Sequence, residues 1–281
     1  MKTSTQLKAL IRNLSRDKDI KAEILIRNFM LERLLERISI SKYKNQFILK
    51  GGMLIAAIVG IDARATMDMD ATVRGFELTE KELENVINQI LAVPIDDGVS
   101  MTLSKIENIR DESEYPGVRV SINAVLDKTK QSLKVDITTG DRITPKEIKY
   151  QFKLMLEDRS IPVLAYNLET VFAEKLETIL SRGTTSTRMR DYYDIYILML
   201  LHEMDLNEDT LIKAFQKTSE QRKSYHNIKT DGHEYIRMIE DSEALAKLWE
   251  QYRSKNDYVS DIEWSDALKS VKKAFNKLNL D

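Results

Sequence analysis

Residues 47–74 read FILKGGMLIAAIVGIDARATMDMDATVR. Phe47 to Leu49 have the character of a short strand, Gly51-Gly52 predict a turn, and Met53 to Val59 form a brief apolar helix. After an arginine-containing loop, Met67 to Val73 alternate as a second strand. Positions i and i+2 of a strand share a face, so Asp68 and Asp70 point one way while Met67 and Met69 mark a half-buried opposite side. Two carboxylates held that close repel each other unless a cation or water screens them. Mg²⁺ suits the position, because it takes a few hard oxygen ligands and leaves the rest of its shell to water and phosphates. The glycines just upstream would let backbone amides approach a bulky anion. Taken singly, each piece has a plainer reading: a structural turn, and a solvated strand face. The chain holds only nine glycines, and GxxxxGK[ST] occurs nowhere, so this is not a P-loop.

A third carboxylate sharpens the pattern. In Leu133–Ile137 (LKVDI) the apolar residues face one way, and Lys134 and Asp136 the other. If this strand lies beside the first, Asp136 joins Asp68 and Asp70. Three carboxylates near two metal ions fit phosphoryl or nucleotidyl transfer.

Working outward, residues 1–50 read as helices, with Leu7, Leu10, Ile11 and Leu14 and then Ile26, Phe29, Met30, Leu34 and Leu35 at helical spacing. Residues 78–91 are expected to be helical, with Thr79 as N-cap and Glu82 placed for a capping box. Strands are expected at 99–109, 118–126 and 133–137, the last two forming a hairpin around DKTKQS, and one more over 150–156. Beyond Pro162 the pattern is almost wholly helical. Asn167 caps a helix to about Leu180, SRGTTST interrupts it, another helix begins near Arg188, and two or three more complete the tail. These expectations divide the chain into a mixed α/β part (1–163) and an α-helical part (164–281).

Composition bounds the rest. The 281 residues carry a formal net charge of −2, which supplies no whole-protein argument for nucleic acid. Residues 1–50, however, hold twelve Lys/Arg against five Asp/Glu, and residues 51–204 hold eighteen against twenty-five. The absence of cysteine excludes thiolate catalysis and cysteine-ligated zinc and suits the cytoplasm. MKTSTQLKALIRNLSRDKDI lacks a signal-peptide core, and no apolar run reaches membrane-span length. His202, His226 and His233 show no metal-ligand spacing.

The segment KGGM…RATMDMD resembles the first motif of the AbiEii/AbiGii nucleotidyltransferase toxins of type IV toxin–antitoxin systems, whose fold is related to DNA polymerase β-type nucleotidyltransferases. Gly51, Gly52, Arg64, Thr66, Asp68 and Asp70 match motif one, and Lys134 and Asp136 match motif two. Lys175, then Arg188, Arg190, Asp191 and Asp194, match the later Lys and Arg-Asp-x-x-Asp motifs. Met53 departs from the family, which commonly has a small hydroxyl residue there.

The resemblance implies an α/β (α+β) nucleotidyltransferase core with N-terminal helices, followed by an α-helical domain. It implies Mg²⁺-dependent use of an NTP, GTP among the candidates. Asp68, Asp70 and Asp136 would hold metal, and Lys175 and Asp191 would complete the catalytic set. Gly51, Gly52, Arg64, Thr66, Lys134, Arg188, Arg190 and Asp194 would bind nucleotide. Asp191 and Asp194 share a helical face, and which of them holds a cation and which addresses base or metal stays open.

Related toxins modify tRNA 3′ ends and block translation. Their antitoxin is a repressor with no obligatory contact, and their role is abortive infection against phage. A monomer is expected. Transfer to a protein hydroxyl and an NTP-binding regulator without turnover are the alternatives.

Overall fold

The computed structural model describes residues 3–76, 79–109 and 117–280. Two helices, α1 (Ser4–Lys18) and α2 (Ala22–Ile40), precede β1 (Phe47–Lys50), α3 (Gly51–Val59), β2 (Met69–Val73) and α4 (Glu80–Leu91). Next come β3 (Val99–Ile109), β4 (Gly117–Leu126), β5 (Thr129–Thr139), β6 (Ile148–Lys153) and β7 (Ser160–Ala165). The strands form one mixed sheet in the order β3-β4-β5-β2-β1-β7-β6. β1 runs antiparallel to β2 and parallel to β7, while β2 runs parallel to β5.

Alternation decides which face is covered. Met69, Ala71 and Val73 of β2 and Leu133, Val135 and Ile137 of β5 are buried, and α2 packs against β5 and β7. Leu35 and Ile38 of α2 line a small void with Leu49, Met69 and Ala71. Intervening positions such as Asp70 and Asp136 therefore emerge on the opposite face of the sheet.

α2 is buried almost all round, charges included. Arg37 donates to both oxygens of Asp97, at 2.7 and 3.1 Å, and to the Val99 carbonyl at 2.7 Å. Arg33 meets Glu157 at 2.7 Å and Glu36 at 3.0 Å. Glu32 accepts the Met155 N–H at 2.9 Å, and burial pushes its carboxyl up to about 8 despite that bond and the nearby Arg33. Two of the twelve early cations are thus core residues, not surface ones.

The second part begins with Asn167, whose side chain caps α5 (Leu168–Arg182) by accepting the Thr170 N–H at 2.8 Å. α6 (Met189–His202) follows, then α7 (Glu208–Gln221), α8 (Tyr225–Glu240), α9 (Glu243–Arg253) and α10 (Trp264–Asn276). Trp249 is fully buried, 5.8 Å from Trp264 between ring centres, and donates to the Ile262 carbonyl. Two compact units result, 1–141 with 147–166, and 142–146 with 167–281.

Several expectations need correction. β2 starts at Met69, so Asp68 lies in the bend before the strand, and Met67 is 43 % exposed where a half-buried side was expected. The Thr66 hydroxyl donates to the Asp68 carbonyl at 3.2 Å, which engages that carbonyl locally. Gly51 and Gly52 are the first two residues of α3, where a separate turn was expected. β5 begins at Thr129, four residues early, and β7 was missed because Pro162 reads as a breaker. Pro162 is tolerated because β1 pairs only with Leu164 and Ala165, leaving position 162 with β6 as its one neighbour. Four helices follow α6, where two or three were expected. Thr79 does cap α4, accepting the Glu82 N–H at 3.3 Å; Leu78, where that helix was expected to start, lies outside the described residues.

Candidate active site

The sheet register aligns four charges. Lys50 on β1 lies opposite Asp70 on β2, Asp70 opposite Asp136 on β5, and Asp136 opposite Arg119 on β4. Directly opposed residues project to the same face, so a row reading plus, minus, minus, plus crosses four adjacent strands. The parallel pairing of β2 with β5 brings the two expected carboxylates side by side, and Lys134 is exposed two residues before Asp136.

Each member of the row is engaged. Arg119 donates from Nε to Asp136 Oδ1 and from Nη2 to Asp136 Oδ2, both at 2.7 Å. Asp70 Oδ2 accepts the Gly52 N–H at 3.2 Å, a carboxylate at the positive end of α3. Lys50 reaches Asp141 at 2.5 Å, and Asp141 also accepts the hydroxyls of Thr138 at 2.7 Å and Tyr166 at 2.9 Å. Burial raises the Asp141 carboxyl, but the Lys50 charge and these donors outweigh it and hold the group below its usual range.

The glycines now have a local reason. Gly51 sits at φ +64°, and a Cβ there would lie 2.1 Å from Asp70 Oδ2. A Cβ on Gly52 would lie 2.8 Å from Thr66 Oγ1 and 3.4 Å from Arg64 Nη2. Motif-one side chains therefore occupy the space beside the bare backbone. Arg64 is 1 % exposed and donates to the Ala65 carbonyl; the Thr66 carbonyl accepts from Asn28 Nδ2 at 2.7 Å. Met53, with no hydroxyl to offer, is buried.

In the helical unit, Lys175 on α5 meets Asp191 at 2.5 Å and Asp194 at 2.9 Å, both on α6. Arg188 Nε donates to the other oxygen of Asp191 at 2.7 Å. Burial would raise Asp191 and lower Lys175, yet their mutual attraction prevails. Asp191 is held down at about 2, and Lys175 lies above its ordinary value. The open division of labour is answered in part, since both aspartates hold the lysine. Arg190 is exposed, without a bonded partner among the described residues.

By donor chemistry, Asp68, Asp70 and Asp136 fit a hard divalent cation. Among the described residues no group of three His, Asp or Glu converges into a ready-made cage. The reason is visible: Asp136 is turned to Arg119, and Asp70 to the Gly52 amide. Arg119, Asp141 and Lys50 were not singled out from sequence. Register counted back from a two-residue turn at Asp127-Lys128 would have paired Arg119 with Asp136.

No curated protein matches the chain by sequence. Among solved structures, MenT4, a nucleotidyltransferase toxin from Mycobacterium tuberculosis H37Rv, superposes with a TM-score of 0.55 at 13% identity, covering 96% of this chain and 98% of that one. A protein from H. pylori described as a nucleotidyltransferase gives 0.52 at 16% identity, with 92% and 97% covered. JHP933 from Helicobacter pylori gives 0.51 at 16%, with 92% and 94% covered. At these identities the likeness is one of fold. The family model for the nucleotidyl transferase AbiEii toxin of type IV toxin–antitoxin systems matches residues 33–274. That span takes in every charged residue of the row and of the α5–α6 cluster, and the chain belongs to the AbiEii family of nucleotidyltransferase toxins.

Proposed function

We propose that this nucleotidyltransferase transfers NMP from an NTP to the 3′ end of tRNA in a Mg²⁺-dependent reaction, and so blocks translation. The observation that carries this reading is the pairing of Asp70 with Asp136 on adjacent parallel strands, beside the glycine pair that opens α3. The family brings an NTP substrate and an antitoxin partner. Base, acceptor and metal are our reading.

Bound at Asp68, Asp70 and Asp136, Mg²⁺ would lower the pKa of the attacking hydroxyl and neutralise the leaving pyrophosphate. The chain's own residues do the rest. The acceptor oxygen attacks the α-phosphorus, the α–β bridge breaks, and the hydroxyl proton passes to a carboxylate of this face. Gly51 and Gly52 bring bare backbone at the start of α3 to the triphosphate, the Gly52 amide passing from Asp70 to phosphate as that carboxylate turns to the metal, and Arg64 and Thr66 pack beside Gly52. Lys134, Lys175, Arg188 and Arg190 supply positive charge for the nucleotide, and Asp191 and Asp194 aim the lysine.

A catalytic face of carboxylates repels polyanionic RNA, so the acceptor is held elsewhere. Arg12, Arg16, Lys18, Lys21, Lys42 and Lys44 are all exposed, and phosphate binding there would weaken steeply with salt through counterion release. We assign the 1–163 part the transfer chemistry and the 164–281 part the support of Lys175. The protein would work as a cytoplasmic monomer in abortive infection, with its antitoxin acting as a repressor and needing no direct contact.

Labelled NTPs, Mg²⁺ and total RNA, with products resolved by size, test the proposal. Label should enter tRNA-sized RNA with the wild type and fall at least a hundredfold with Asp70→Asn or Asp136→Asn, about the loss expected when charge stabilisation of a transition state is removed. Label confined to protein, or wild-type rates in either variant, refutes it.

A further inference from the structure

We infer that Arg119 is a positioning residue that holds Asp136 in the metal-free protein and yields it when a divalent cation arrives with the nucleotide. The inference rests on the reading of Asp136 as a metal-binding carboxylate. Both Asp136 oxygens are engaged by one guanidinium, at 2.7 Å each, and register places the two residues directly opposite. The backbone alone therefore brings the pair together.

Asp70 stands at the matching position on the other side of Asp136, and two neighbouring carboxylates need positive charge between or beside them. Arg119 supplies it in the absence of metal. The pair is also exchangeable, because the Arg119 side chain is 39 % exposed and that of Asp136 22 %; water can take up either partner as they separate. The fork that fits a carboxylate fits a phosphate equally well. On release, Arg119 gains a nucleotide phosphate as its new partner.

Such an exchange gives two constants that move in opposite directions. Mn²⁺ binding, followed by electron paramagnetic resonance without nucleotide, should tighten about threefold in Arg119→Ala, the scale of one charge-assisted pair at a partly exposed site. Binding of each NTP in the presence of Mn²⁺ should weaken severalfold in the same variant. Arg119→Lys should fall between wild type and Arg119→Ala on both measures. A pair that merely braces the hairpin would leave bare Mn²⁺ affinity unchanged or lower it along with Tm, and either result overturns the inference. Should Arg119→Ala fail to fold, Arg119→Lys decides it on the same two constants.

Asp136→Asn separates this inference from the reading beneath it. If Asp136→Asn binds Mn²⁺ with NTP as the wild type does, Asp136 is no ligand and both fall. If Asp136→Asn loses binding while the Arg119 variants match the wild type, only the role of Arg119 falls.

Discussion

On the sheet, Arg119 meets Asp136 with 39 % of its side chain exposed. Between α5 and α6, Lys175 meets Asp191 and Asp194 with 14 % exposed, and those carboxylates are exposed by 2 % or less. The residue types are alike, but the surroundings give them opposite properties. Water stands ready to replace a partner in the first pair, so that pair can be exchanged. In the second, separation would strand charge in a poorly solvated interior, so the cluster is fixed. One set of charges can therefore change partners during a reaction cycle, while the other keeps a lysine in one place throughout.

The largest expected effect tests the fixed cluster. Lys175→Ala leaves buried Asp191 and Asp194 without the cation they share, and should cost about 3–5 kcal/mol in urea unfolding. Arg119→Ala should cost less than about 1 kcal/mol. Equal losses would erase the contrast. For this reason loss of activity in Lys175→Ala says little about phosphate contact until the folded fraction has been measured.

A middle-sized effect is expected at the glycine pair. Gly51→Ala places a Cβ against the Asp70 carboxylate at a backbone angle of φ +64°, and should cost about 1–3 kcal/mol. Combining it with Asp70→Gly removes every Asp70 atom that the new Cβ would meet, the Asp70 Cβ at 2.8 Å included, and leaves the backbone strain, so thermal melts against Asp70→Gly alone should recover only part of the loss. Full recovery would show that the angle itself is tolerated.

The smallest effect, taken per unit of pH, lies on α2. An ordinary glutamate ionises near 4.5, but burial pushes Glu32 up to about 8. The folded state thus keeps a proton that the unfolded chain releases. The stability tied to that proton is complete below 4.5 and is lost as pH rises through 8. Glu32→Gln should therefore gain on the wild type by about 1 kcal/mol, roughly 2–4 °C in Tm, for each unit of pH across that window. A gap that stays constant from pH 5 to 9 would mean that Glu32 is already ionised.

What could be read from sequence was local. Alternation in 118–137 and the apolar runs flanking Gly51-Gly52 announce themselves within a few residues, so the hairpin and the glycine-opened unit were legible. So was Asp136 beside Asp70, once its strand was assumed to neighbour β2. What failed depended on distant partners. Pro162 is harmless only because β1 stops short of it, and Arg33 and Arg37 are core residues only because Glu157 and Asp97 come to meet them. Lys50 and Asp141 find each other across ninety-one positions of chain, a distance at which no periodicity speaks.

The two units are interleaved in the gene. Residues 142–146 belong with the helices, where Asn167 Nδ2 donates to the carbonyls of Thr144 and Lys146 at 2.7 and 3.0 Å. Residues 147–166 return to the sheet and carry β7, against which Ile48 and Leu49 pair. A single cut after codon 163 would take Leu164 and Ala165 from β1, the strand that leads straight into the glycines. Dissecting this toxin into working fragments thus calls for a splice: the five-codon stretch 142–146 has to travel with the downstream half, and codons 147–166 with the upstream one.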